Sequence, residues 1–148
     1  MGVIKPTFSL VSNSSAATKD AGPLSVALSL SATDSLDVTK VESKILDVTE
    51  THGTLWTAAN YTASGAVGTD GAFIYIKNTS SNAAHEISIG HGTAAHILGA
   101  GNTTRTMTLK GGEFAFFPWD CTQNIVYDAN GSYTGALESW IFVRTGTA

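Results

Sequence analysis

Cysteine is almost missing from this chain. Cys121 stands alone, which excludes an intrachain disulfide and any cysteine-based zinc site. Charge is scarce as well: charged residues make up 14%, against roughly 25% in an ordinary globular chain. The net charge is −4 and the pI about 5.4. No basic cluster occurs, so the electrostatic footprint of a nucleic-acid binder is absent. No apolar run approaches the ~18 residues of a membrane-spanning helix. The opening MGVIKPTFSL has neither a basic n-region nor a long apolar stretch, so no secretory leader is expected. The Asn-x-Ser/Thr triplets, those at Asn13, Asn60, Asn78 and Asn102 among them, then reflect Ser/Thr abundance and not glycosylation.

What fills the space is Ser, Thr, Ala and Gly, with apolar residues at 43%. That mixture suits strands and turns better than surface helices, which carry Glu and Lys. Low charge also suits a surface partly hidden by assembly. At 148 residues the length points to one domain with a real core. The segment LSVALSLS alternates strictly, Leu24, Val26, Leu28 and Leu30 against Ser25, Ala27, Ser29 and Ser31, and predicts a half-buried strand. Residues 36–50 are ambiguous. Val38, Val41, Ile45 and Val48 fall on one helical stripe, but the β-branched content favours strand, and strand is the reading adopted. Further strands are predicted at Leu55–Thr57, 72–78, 85–91, 105–110, 113–119, 124–129 and 136–144, separated by Gly, Asn and Ser turns. Residues 12–23 and 51–71 read mostly as loop. The expectation is all-β: a jelly-roll-like β-sandwich of about eight antiparallel strands with an extended N-terminal arm. Residues 1–23 form the arm and its loop, and 24–148 the sandwich.

Chemistry is hard to place on this pattern. His85, His91 and His96 with Glu86 offer metal-ligand types, but on one strand His85 and His91 would stand about 20 Å apart. No Gly-x-Ser-x-Gly elbow, Walker loop or dinucleotide fingerprint occurs. Cys121 reads as a small buried residue. Asp70, Asp120 and Asp128 flank turns, where local hydrogen bonding favours Asp. The expectation is no catalytic, cofactor-binding or metal site, no cofactor and no enzyme. Aromatics are the stronger signal. Phe114 and Phe116 share one strand face, with Phe117 on the other. Trp140 and Phe142 lie opposite Leu137, Ile141 and Val143. Only one face of each sheet can look into a sandwich, so something must cover the other. A neighbouring subunit is the favoured cover. A folded-back loop 51–71 and a sugar platform using Trp56 or Trp119 are the alternatives.

Two resemblances bear on this. LKGGEFAFFPWD, residues 109–120, resembles the second conserved motif of the cupin family, a Gly-acid turn, an apolar strand and a proline that ends it. The resemblance implies a jelly roll. No histidine follows Pro118 as it does in metal-binding cupins, and His91-Gly92-Thr93 does not supply the first motif's histidine pair. A divergent cupin enzyme is thus the remote alternative. MGVIKPTFSL, then AFIYIKNTSSNAAHEISIGHG, then LKGGEFAFFPWD through NIVYDANG to ALESWIFVR together resemble small virion proteins of tailed bacteriophages. That resemblance implies a non-enzymatic capsid decoration or cement protein bracing the major capsid protein. It would be a homo-oligomer, a trimer among the options, made in the host cytoplasm, without nucleic acid or membrane as partner. A tail, neck or fibre protein is the alternative within that class, and a carbohydrate-binding module the alternative outside it.

Overall fold

The computed structural model describes residues 2–4, 7–11, 25–29, 36–49, 52–61, 71–93, 97, 104–130 and 134–144. The chain falls into two compact units, Met1–Val38 and Thr39–Ala148. In the first, β1 (Gly2–Ile4) runs antiparallel to the start of β4 (Leu36–Thr49), with Val3 opposite Asp37. Also in that unit, β2 (Thr7–Val11) and β3 (Ser25–Ser29) form a two-stranded antiparallel sheet with Ser9 opposite Ala27. The alternation of LSVALSLS therefore does mark a strand, and β2 is its partner.

The second unit is a β-sandwich. Its strands are the remainder of β4, then β5 (His52–Trp56), β6 (Ala72–Asn78), β7 (Glu86–His91), β8 (Arg105–Lys110), β9 (Phe114–Trp119), β10 (Ile125–Ala129) and β11 (Thr134–Arg144). One sheet has the order β4-β11-β6-β9 and the other β5-β10-β7-β8. Successive strands alternate between sheets except at β7–β8, and first and last strands pair. That is the jelly-roll arrangement of eight strands in two sheets. A short 3-10 turn at Ala58–Asn60 follows β5. Among the described residues no helix is long and apolar enough to cross a membrane.

The core explains the pattern. Ile74, Ile76, Leu137, Ile141 and Trp119 from one sheet meet Leu55, Ile87, Ile89, Leu109 and Ile125 from the other. The ambiguous stretch 36–49 is strand throughout. Its helical stripe is split by the pleat: Val38 and Val48 are buried while Val41 and Ile45 are exposed, as a period of two requires. Trp56 ties the layers together, donating from Nε1 to Ser139 Oγ on β11 at 2.8 Å, and Ser139 Oγ donates in turn to the Tyr75 carbonyl at 3.0 Å. Tyr61 bridges Trp56 and Trp119 edge-on, with ring centroids 5.8 and 5.9 Å away.

Asn78 organises one end of the sandwich. Fully buried, it donates to the carbonyls of His85 and Leu109 at 3.0 and 3.1 Å and accepts from Ser80 N–H at 3.1 Å. Its backbone bonds Gly112 and Glu113 across the corner between β8 and β9. Glycine is required there twice over. Gly112 has φ +84, and a Cβ on Gly111 would lie 2.2 Å from the Asn82 carbonyl oxygen. The strand predicted at 113–119 is β9, but the proline that the cupin-like motif sets at a strand's end lies inside it: β9 runs on to Trp119 with Pro118 opposite Phe73. Among the described strands β9 has β6 alone as a neighbour, and at such an edge a missing N–H is tolerated.

Candidate functional site: the outer face of the β4-β11-β6-β9 sheet

The two outer faces of the sandwich differ. On the β5-β10-β7-β8 sheet the outward side is small and polar: Ser88, Gly90, Thr106, Thr108 and Asp128, with Val126 among them. The chain covers part of it with its own Ile97, which is fully buried. Ile97 N–H donates to Asp128 Oδ2 at 2.6 Å, and its Cδ1 lies 3.0 Å from where a Cβ on Gly90 would stand. Gly90 is thus the seat for Ile97. Sequence reasoning placed Asp128 beside a turn; the structure puts it inside β10 as the anchor of this cover.

The β4-β11-β6-β9 sheet is aromatic outside. Strand register builds it rung by rung. Glu138 faces Lys77 and Phe114; Trp140 faces Tyr75 and Phe116; Phe142 faces Phe73 and Pro118. The Phe73 and Phe116 rings stack at 5.7 Å, nearly parallel, Tyr75 lies 6.0 Å from Phe114, and Phe116 meets Phe142 edge-on at 6.4 Å. Arg144 closes one end, its guanidinium 4.2 Å from the Phe73 ring centre, and among the described residues its buried Nε has no hydrogen-bond partner. At the other end Glu138 accepts from Trp140 Nε1 at 2.9 Å. Burial, with the Glu138 charge adding to it, raises the Tyr75 phenol above its ordinary value. Exposure remains high despite these contacts: Phe114 54%, Phe116 42% and Trp140 38%, with Val41 at 47% and Ile45 at 74% on β4. The two-faced aromatic pattern of residues 113–119 and 136–144 is the sequence signal that finds this face.

The other sequence candidates do not converge. His85 and His91 stand at opposite ends of β7, His85 Nδ1 2.9 Å from Ser80 Oγ and His91 Nδ1 3.3 Å from Thr106 Oγ1. His96 and Asp70 lie outside the described residues. Among the described residues no three His, Cys, Asp or Glu side chains are grouped to hold a metal. Trp56 and Trp119, the sequence choices for a sugar platform, are core residues; the exposed tryptophan is Trp140. Cys121 is buried, with φ +57. A hollow of about 590 Å³ opens between strand ends, lined among others by His91, Thr106, Phe117, Asp120, Gln123 and Arg144. Asp120 is held by Thr122, which donates from N–H at 3.0 Å and Oγ1 at 2.8 Å. These bonds keep its carboxyl below the usual range.

No known protein family matches the chain, and no curated protein does. Among solved structures it is similar to a chain described under "Bacillus endospore appendages form a novel family of disulfide-linked pili". The two share 12% identity and a TM-score of 0.48, over 81% of this chain and 98% of the other. At that identity and score the similarity says nothing about what this chain binds.

Proposed function

We propose that this chain is a non-enzymatic structural protein of a tailed-phage virion, a capsid decoration protein whose work is done by contact between subunits. The observation that carries the reading is the open aromatic face of one jelly-roll sheet, on a chain that covers part of the opposite face with its own Ile97. A half-exposed ring leaves about 100 Å² in water, and at ~25 cal/mol per Å² covering it is worth roughly 2.5 kcal/mol. Interface centres are rich in such rings and poor in charge, and so is this face. The virion setting rests on the resemblance of residues 72–144, which coincide with β6 to β11. A decoration protein adds interface area across neighbouring capsid subunits and stabilises the assembled state by mass action.

The test is where the chain is found. Gradient-purified particles, separated into heads and tails and probed with an antibody to this chain, should carry it on heads. Heads stripped of it should lose heat tolerance and regain it when the purified chain is added back. Finding the chain on tails alone contradicts decoration, and finding it on no particle contradicts the virion setting.

A further inference from the structure

The outward row of β11 is electrostatically polar, with Lys77 of β6 beside its acid end, and that polarity selects an occupant. On β11 the outward row reads Glu138, Trp140, Phe142, Arg144: acid at one end, base at the other, two rings between. We infer that the occupant is a second copy of this chain, packed face to face with its strands reversed. The inference rests on the proposed reading of this face as a subunit contact. The twofold axis would lie between the two sheets and run across the strands, at the level between Trp140 and Phe142. Each β11 then lies over the partner's β11 in the opposite direction. Glu138 of one copy meets the partner's Arg144, and the reverse holds at the other end. Such a contact is self-complementary, as a twofold interface must be. The Arg144 guanidinium, seated over the Phe73 ring, is at the end where the incoming carboxylate arrives. Strands running the same way would instead set Glu138 on Glu138 and Arg144 on Arg144, and like charges in register are rejected.

Size sets the strength. Four strands at ~4.8 Å give a face about 19 Å wide. The seven residues of β6 at ~3.3 Å each make it about 23 Å long. The pair buries on the order of 900 Å² in all, below the ~1,200–2,000 Å² of a stable complex. The contact is therefore a weak one that becomes firm when other contacts hold the copies together.

Sedimentation equilibrium of the purified chain from about 5 to 500 μM tests this. Wild type should show a monomer–dimer equilibrium. Glu138→Arg alone and Arg144→Glu alone should each weaken it at least about tenfold, because each places two like-charged pairs across the axis. Mixed together in equal amounts, the two variants should form a one-to-one heterodimer as tight as wild type. Thermal melting matched to wild type shows that the variants are folded, and the mixing result holds only for folded chains. A wild-type chain that stays monomeric at 500 μM overturns the second-copy occupant, as do single variants that dimerise like wild type. Those results leave the structural reading standing, because that reading is tested separately. A Phe116→Asp chain that still joins particles as wild type does would overturn it instead.

Discussion

Ser139 Oγ accepts from Trp56 and donates to Tyr75, so one hydroxyl joins the two sheets through the middle of an apolar core. Ser139→Ala leaves an indole N–H without its acceptor in the interior, and urea unfolding should show a loss of about 1–3 kcal/mol. Trp56→Ala also opens a cavity and should cost about 3–5 kcal/mol. Asn78→Ala releases two buried carbonyls and an N–H at one corner, and should lower the urea midpoint by at least as much as Ser139→Ala. Its side-chain nitrogen is already committed to two carbonyls, so the Asn78 triplet is no glycan acceptor in the folded chain. A third group of residues responds to pH. Glu42 is paired with Lys40 and accepts from Tyr61 Oη at 2.6 Å. The Lys40 bond first and the Tyr61 bond second hold its carboxyl below the usual range. A lowered carboxyl pKa stabilises the fold above the unfolded value of about 4.3 and loses that contribution as pH falls through the folded value. Tyr61 is the mirror case. Burial, with Glu42 adding to it, raises its phenol, so its contribution is present below about pH 10 and lost as pH climbs past that. Glu42→Gln should therefore lower Tm modestly at pH 7, where the contribution is present, and flatten the acid limb, so that the two Tm-against-pH curves converge below about pH 4.

Elements show where sequence periodicity speaks and where it is silent. β6, β7 and β11 are legible because the apolar residues alternate or run continuously between Asn and Gly turns. The stretch 36–49 is legible only through its β-branched content, since four apolar residues at helical spacing look identical to two on each face of a strand. Pro118 reads as a stop in the sequence because a chain carries no sign of which strand will be an edge; β9 is one, and the proline passes. The aromatic face is legible as a surplus, too many rings for one inner side. Ile97 and its Asp128 anchor are not legible, because a cover formed by a single residue of a long Gly- and Ala-rich connection has no period. The face itself yields a clear expectation. Phe116→Asp removes one stacked and one edge-on ring contact, worth about 0.5–1.5 kcal/mol each, so thermal melting should fall only by a few degrees. Subunit contact measured by sedimentation should be lost altogether. A variant that unfolds outright would show the ring to be part of the core.

At the scale of the molecule, stability and contact are carried by different sides of the same sheet. The inner side of β4-β11-β6-β9 closes the jelly roll; the outer side leaves its rings exposed, and in the proposed assembly a neighbour covers them. A weak pair contact fits an assembly in which each chain is held by several neighbours at once, because linked contacts multiply while each remains reversible. The most direct measurement is hydroxyl-radical footprinting of the chain when dilute and when assembled, read at single residues by mass spectrometry. Oxidation of Phe114, Phe116 and Trp140 should drop several-fold on assembly, while the buried Trp56 stays unreactive in both states. Equal oxidation of Trp140 and Phe116 in the dilute and assembled chain would contradict subunit contact through this face.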